Sequence, residues 1–286
     1  MIALVTLLAA AVPPPVAPAA PPPPSPGERL FAERLDPVAL DRAIDALSGE
    51  AAADPRSYRP RLLLARAESF WASLHDDATP DEASAHLEAG VRAAGEALAL
   101  ASPAYAKLLG AGKTLLSNLA AVEPSGAEAL YWIAADQHQL AAAHGLAWLL
   151  LEERELRKLF QRVVELAPGT WYGGAYLRLA ELDLALPTGF GAGLAPVAAE
   201  LATAERLGPA LLEIHLVRAG RWAVKAQDYR VFQRELAVVH EADVDRDPAI
   251  RPENELTRRQ AAALAADATE LFTRLAIGRV ADAGVP

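Results

Sequence analysis

Residues 169–194 read GTWYGGAYLRLAELDLALPTGFGAGL, a helical pattern that stops at a proline and glycine turn and resumes at once. Apolar residues recur at spacings of three and four on both sides of the turn, which predicts helices near 171–186 and 192–207. PTGFG at 187–191 is typical of a turn and would join the two helices as a hairpin. The stretch therefore predicts a helical hairpin as the unit of the fold.

The same pattern extends in both directions along the chain. Asp36 and Thr79 each precede a proline and an apolar period, which predicts helix N-caps. Ser125 and Glu128 have the spacing of a capping box. No segment alternates with period two, so the fold class is all-α. Further helices are expected near 58–75, 104–119, 152–166, 210–226, 228–241 and 253–275.

The helical pairs recur with a recognisable period. Pro168 and Pro209 are 41 residues apart, and both follow a helical pattern. A bulky residue lies eight positions before each proline and a small one five before, as in a tetratricopeptide repeat of 34 residues; these are Phe160 and Leu201, then Val163 and Ala204. The sequence predicts degenerate tetratricopeptide-like hairpins stacked as a compact α-solenoid. This would be one domain over 36–276, followed by a disordered tail over 277–286.

The N-terminus has the composition of an exported protein. Residues 2–12 are apolar, a length typical of a signal peptide and too short to span a bilayer, and 17–19 offer an A-x-A-like cleavage site. We expect a signal peptide over 1–19, a proline-rich tether over 20–35 and a periplasmic location; the alternative is a disordered N-terminal tail. The chain has no cysteine, so we expect no disulfide and no lipoprotein anchor.

Composition and motifs argue against several classes of function. The net charge is −10 with scattered basic residues, which disfavours nucleic acid and anionic membranes as partners. GAGKT at 110–114 lacks the first glycine of a phosphate-binding loop and has no preceding strand, so a turn between helices is favoured over ATP binding. His138 and His144 are six apart, a spacing that does not make an i, i+4 metal pair. We therefore predict no enzyme, no cofactor and no metal; a nucleotidase or histidine metal hydrolase remains a hypothesis that calorimetry with ATP and zinc can test.

Aromatic residues concentrate between 131 and 229. Each alone is explained by core packing, and the alternative is that some line a passage or the concave face of the solenoid. A doubled glycine costs roughly 1 kcal/mol per residue in a helix, which indicates either close helix contact or an opening onto a ligand passage. The candidates for a ligand passage or partner surface are Tyr131, Trp132, Trp171, Tyr172, Gly173, Gly174, Tyr176 and Phe190.

Several stretches together resemble the TatT family, the T-component proteins associated with periplasmic TRAP transporters. The resemblance covers roughly residues 40–275 and is most specific at YGGAYLRLAEL followed by LPTGFGAG. It is also carried by EALYWIAAD, LRKLFQRVVELAPGTW, LVRAGRWAVKAQDYRVFQREL and AADATELF. Members of that family are commonly lipoproteins, whereas this chain has no cysteine.

The resemblance implies a non-catalytic periplasmic protein of cryptic tetratricopeptide-like repeats. Such a protein would dock the solute-binding subunit of a TRAP transporter, form a homotrimer and pass a small apolar carboxylate-type ligand through each subunit. The alternative function is a scaffold for cell-envelope protein assembly, which would grip peptide segments in a groove between repeats.

Overall fold

The computed structural model describes residues 23–75, 77–187, 193–273 and 277, and this part of the chain is helical without strands. The helices follow one another with short connections, as expected for stacked helical hairpins. They are α1 Pro26–Ala32, α2 Pro37–Ala53, α3 Tyr58–Leu74, α4 Pro80–Ala101, α5 Pro103–Gly110, α6 Ala127–Ala143, α7 Leu146–Leu166, α8 Thr170–Ala185, α9 Leu194–Leu207, α10 Glu213–Val217, α11 Val224–Ala226, α12 Tyr229–Glu241, α13 Arg251–Ala266 and α14 Ala268–Leu271. A π-helical segment, Arg218–Ala223, joins α10 to α11. Within the described residues no helix combines the length and the apolar character needed to cross a bilayer.

Two of the three predicted N-caps are present. The Asp36 side chain accepts from the backbone N–H groups of the first turn of α2, and Thr79 forms a capping box with Glu82 at the start of α4. The capping box predicted at Ser125 is wrong. Ser125 lies in a 3₁₀ turn before α6, and its hydroxyl donates 2.6 Å to the carbonyl of Ala101 instead. The hydroxyl is therefore used to hold the end of α4 against the start of α6.

Two predicted segments differ from the structure. The region expected to be one helix over 104–119 contains α5, a turn with Gly112 at φ +76°, and the 3₁₀ helix Leu116–Ala121. The tether expected over 20–35 includes α1, because Ser25 and Glu28 form a capping box and Phe31 is buried in the core against α2 and α3. The folded part thus begins before residue 36. The expected signal peptide at 1–19, and all but residue 277 of the expected tail, lie outside the described residues.

The repeat positions predicted from Pro168 and Pro209 are buried in the core. The bulky and small residues of both repeats, Phe160, Val163, Leu201 and Ala204, have 0% exposure. In the series α2, α3, α4, α6, α7, α8 and α9, each helix packs against the next one. The short helix α5 follows α4 in the chain but is not part of this stack. The largest buried cluster runs through α3, α4, α6, α7 and α8, and a second one through α8, α9 and α10. The prediction of stacked helical hairpins is confirmed.

The stack curls so that its last long helix meets its first ones. Arg34, after α1, donates from Nε to Oε1 of Glu253 on α13 at 3.1 Å and from Nη2 to the carbonyl of Ala249 at 2.7 Å. Leu256 of α13 packs against the apolar cluster of α1, α2 and α3. These contacts join α13 to the first three helices and leave space between α3 and α13.

Candidate functional site

The space enclosed by the curl is a cavity of about 100 Å³, which we call the inner cavity. Its wall combines aromatic and apolar side chains with hydroxyl, amide and charged groups from α3, α6, α8, α10 and α13. The lining residues are Arg66, Ser69, Phe70, Ser73, Trp132, Ala135, Gln139, Trp171, Arg178, Glu213, Glu253, Leu256, Thr257 and Gln260. Mixed linings of this kind are typical of small-molecule sites.

A second cavity of about 480 Å³, the side cavity, is also lined by Arg66 and Trp171. It is lined by Arg66, Glu128, Gly169, Thr170, Trp171, Tyr172, Leu207, Ala249 and Ile250. Arg66 and Trp171 line both cavities.

Trp171 is held in place by an unusual backbone at the start of α8. Trp171, Tyr172 and Gly173 have φ values of 45°, 55° and 74°, in the left-handed region that favours glycine. For non-glycine residues such conformations cost roughly 1–3 kcal/mol each and persist only where other contacts impose them. One such contact is the Tyr172 hydroxyl, which donates to Oδ2 of Asp247 at 2.7 Å. Two of these residues, Trp171 and Tyr172, line the side cavity.

The two glycines permit close helix packing around this turn. A Cβ atom at Gly173 would lie 3.0 Å from the carbonyl oxygen of Ala204 on α9. A Cβ atom at Gly174 would lie 2.6 Å from the hydroxyl of Tyr131 on α6, where Tyr131 is fully buried. Gly173 therefore supplies a positive φ together with contact to α9, and Gly174 supplies contact to α6.

The aromatic candidates fall into different environments. Trp132 and Trp171 line the inner cavity and meet edge to face, with ring centroids 4.8 Å apart. Tyr172 lines the side cavity. Tyr131 is buried in the core, and Tyr176 packs against the cluster of α8, α9 and α10. Phe190 lies outside the described residues, as does most of the turn at 187–191.

The sequence analysis did not identify Arg66 or the other residues of α3 that line the inner cavity. Arg66, Ser69, Phe70 and Ser73 follow the i, i+3, i+4, i+7 spacing of one helical face, and all four line the inner cavity. From the sequence alone, a helical face that contains several polar residues cannot be distinguished from a solvent-exposed face. The signal that could have marked it is its position in the middle of α3, a helix whose other faces bury Leu62, Leu63 and Ala65.

Most charges at the inner cavity are paired. Arg178 donates to Glu181 at 2.5 Å and to Glu213 at 2.8 Å. Burial raises the pKa of Glu181, but the positive charges of Arg178 and Arg221 together with the hydrogen bond from Arg178 outweigh it and lower that pKa to about 2. Glu253 is paired with Arg34. The two carboxylates that line the inner cavity, Glu213 and Glu253, are therefore each paired with a guanidinium group.

Arg66 is different, because no hydrogen bond or ion pair of its guanidinium is found among the described residues. Its Cζ lies 4.4 Å from the ring centroid of Trp171, 5.1 Å from that of Phe31 and 5.9 Å from that of Trp132. Burial lowers the pKa of Arg66 to about 10, although the charge of Glu253 partly opposes this, so the group remains cationic at neutral pH. Aromatic faces stabilise the cation without neutralising it.

Neither of the other motifs forms a site with this one. GAGKT at 110–114 covers the last residue of α5 and the turn after it. His138 is buried in α6, and His144 is at its end, where it contacts Trp148. Among the described residues no group of three or more histidine or acidic side chains is arranged to hold a metal ion.

Comparison with known proteins bears on this architecture. The family model of the TRAP transporter T-component matches residues 64–272, which include α4 to α13 entirely and most of α3. No curated protein matches the chain significantly. Because the match covers most of the chain, the protein belongs to the TRAP transporter T-component family.

Proposed function

We propose that, as a member of the TRAP transporter T-component family, this protein docks the transporter's solute-binding subunit in the periplasm and passes a small, largely apolar carboxylate ligand through its own fold. The family membership supports association with a TRAP transporter. The docking, the ligand and the location are the additional content of the proposal. A homotrimer, each subunit with its own passage, belongs to the same proposal.

The observation that carries the proposal is the pair of cavities that share Arg66 and Trp171. Two cavities in contact through two side chains form a route across the subunit when those side chains move. The Trp171 side chain is suited to such movement because it is only partly buried and lines both cavities. Binding, shape and movement account for this function, and we propose no covalent step.

The passage can be tested with Trp171→Ala. A fully buried tryptophan replaced by alanine costs roughly 3–5 kcal/mol. Trp171 is only partly buried, so we expect a smaller loss of stability. We expect the variant to change the rate at which ligand leaves the loaded solute-binding subunit in the presence of this protein.

Trp222→Ala is the matched control. Trp222 is also half-buried, and its indole N–H donates 2.9 Å to the carbonyl of Leu194, but it lines neither cavity. Ligand release with this variant should equal that with the wild type. If Trp171→Ala unfolds with the full loss of a buried tryptophan and leaves ligand release unchanged, Trp171 is a core residue and the passage is refuted.

Docking is tested separately by sedimentation velocity of the purified protein with the purified solute-binding subunit. We expect a heavier species that contains both chains. The same experiment on the protein alone tests the trimer. Two independent boundaries at micromolar concentrations would contradict docking, since specific complexes of ordinary affinity are populated there.

One observation favours the alternative, a scaffold that grips peptide segments. A groove of about 380 Å³ between α6, α7 and the 3₁₀ helix is lined by Leu116, Leu140 and Trp148 among others. Beside it, Leu151 and Trp148 of α7 are 73% and 50% exposed. Exposed apolar surface of this kind is typical of an interaction site. Recovery of envelope assembly factors, with no solute-binding subunit, would favour the scaffold.

A further inference from the structure

Arg66 presents a charge that the fold does not satisfy. Its Nε is buried without a hydrogen-bond partner, and its guanidinium forms no ion pair within the described part of the chain. The other cation at the inner cavity, Arg178, is committed to Glu181 and Glu213. A partly desolvated and unpaired charge is unfavourable to the fold unless something binds it.

The acidic groups nearby do not fill this role. Glu253, the acidic side chain with the strongest electrostatic influence on Arg66, is engaged by Arg34, which itself contacts the ring of Phe31. Glu128 lines only the side cavity and makes no ion pair with Arg66. The face of the guanidinium is covered by Trp171, which leaves its planar edge as the part that can donate.

We propose that Arg66 anchors the carboxylate of a small amphipathic ligand at the junction of the inner and side cavities. This rests on the proposed function and adds the residue that selects the ligand class. The edge of a guanidinium group donates two parallel hydrogen bonds to a carboxylate. A neutral ligand group would not form this charged pair, and a lysine ammonium in place of the guanidinium would not provide its planar geometry. The rings of Trp132 and Trp171 and the side chain of Phe70 lie beside the anchor and would contact the apolar part of the ligand.

The space available limits the ligand. An apolar cavity of roughly 150 Å³ holds benzene, and the inner cavity is smaller, at about 100 Å³. The body of the ligand is therefore no larger than about one ring or a short branched chain, unless side chains move. On the same wall Gln139 donates from Nε2 to the Ser69 hydroxyl at 3.2 Å, which leaves the Oε1 of Gln139 to accept from a polar substituent.

Calorimetric titration of the full chain with benzoate and hexanoate tests the anchor, with benzamide as the neutral counterpart of benzoate. We expect saturable binding of at least one of the two carboxylates and at least 10-fold weaker binding of benzamide. Arg66→Met should weaken carboxylate binding roughly 10- to 100-fold, the range for loss of a charge-assisted hydrogen bond. Arg42→Met removes an exposed arginine from α2 and should leave binding unchanged.

The unfolding temperature separates an anchor from a structural cation. Arg66→Met should unfold at the wild-type temperature or above, because it removes an unpaired charge. If it fails to fold, Arg66→Lys is the second variant: it keeps the charge, loses the planar fork and should still bind the carboxylate less tightly. Equal affinity for benzoate and benzamide, carboxylate binding unaffected by both substitutions, or no saturable binding of either carboxylate at millimolar concentrations would each overturn the proposal.

The outcome is distinguishable from failure of the proposed function. Carboxylate binding that depends on Arg66, in a protein that ignores the solute-binding subunit, would refute docking and leave the anchor in place. Docking without carboxylate selectivity would refute the anchor and leave docking in place.

Discussion

Replacing Gly174 with alanine tests the packing that builds the site. Alanine normally stabilises a helix interior relative to glycine by up to about 1 kcal/mol. At this position the added Cβ would lie 2.6 Å from the hydroxyl oxygen of Tyr131 and 2.9 Å from both Cε2 and Cζ. These distances are too short for contact, so either Tyr131 or α8 must move.

Tyr131 has little room to move. It is 1% exposed, its ring meets Trp132 edge to face at 5.2 Å, and the ring of Phe160 lies 6.4 Å away. Overpacking of a dense core typically costs about 1–3 kcal/mol. After the gain in helix propensity, we expect a net loss of about 1–2 kcal/mol, or roughly 2–8 °C in the unfolding temperature of a chain of this size.

Gly95→Ala is the matched control, since Gly95 lies inside α4 with nothing within 4 Å of an added Cβ. It should stabilise the protein by roughly 0.5–1 kcal/mol. Thermal unfolding followed by circular dichroism compares the two variants with the wild type. Equal stabilisation by both substitutions would refute the close contact between α6 and α8 on which the position of Trp171 depends.

Three further predictions concern stability. Thr79→Ala should cost about 1 kcal/mol through loss of the N-cap of α4, measured by chemical denaturation; no change would show that the cap does not stabilise the helix. Burial lowers the pKa of His138 to about 4. The stability that neutral His138 contributes is therefore present above pH 6.5 and is lost as the pH falls toward 4. Chemical denaturation of His138→Gln between these pH values should show a smaller decrease in the free energy of unfolding than the wild type shows. Burial raises the pKa of Glu235, but its hydrogen bond with His215 and its pairing with Arg218 lower that pKa to about 2, so the stability it contributes is present above about pH 4.5 and is lost toward pH 2. Glu235→Gln should be less stable than the wild type at neutral pH, and its free energy of unfolding should depend less on pH between 4.5 and 2. The same pH dependence in the variant and the wild type would contradict this assignment.

The fold could be predicted from the sequence because its signals are local and repeated. Capping residues, helical periods and the two repeat prolines each act within one or two turns of helix, and the packing of Phe160 and Leu201 follows from them. Helix α1 was missed because the prolines before it dominate the composition. The hydrogen bonds that fix it, between Ser25, Gly27 and Glu50, join segments distant in sequence.

The site was predictable only in its aromatic part. Trp132 and Trp171 are conspicuous residue types in the strongest repeats, and both line the inner cavity. Arg66 is one arginine among many charged residues, and nothing in its neighbourhood along the chain marks it as unpaired. Its significance depends on α13 folding back over α3, a contact between residues nearly two hundred positions apart that no local pattern encodes.

The strained backbone at the start of α8 could not be predicted from the sequence either. The doubled glycine indicated close helix contact or an opening, and the structure shows contact at both glycines. The left-handed φ of Trp171 and Tyr172 could not be expected, because aromatic residues disfavour that region strongly. Their conformation is imposed by tertiary contacts such as the hydrogen bond to Asp247.

The most direct test of the whole account is affinity purification of the tagged full-length protein from the periplasmic fraction of its own host, followed by mass spectrometry. We predict that the solute-binding subunit of a TRAP transporter is recovered in stoichiometric amounts. Absence of the protein from that fraction, or its recovery there without any transporter component, would contradict the account.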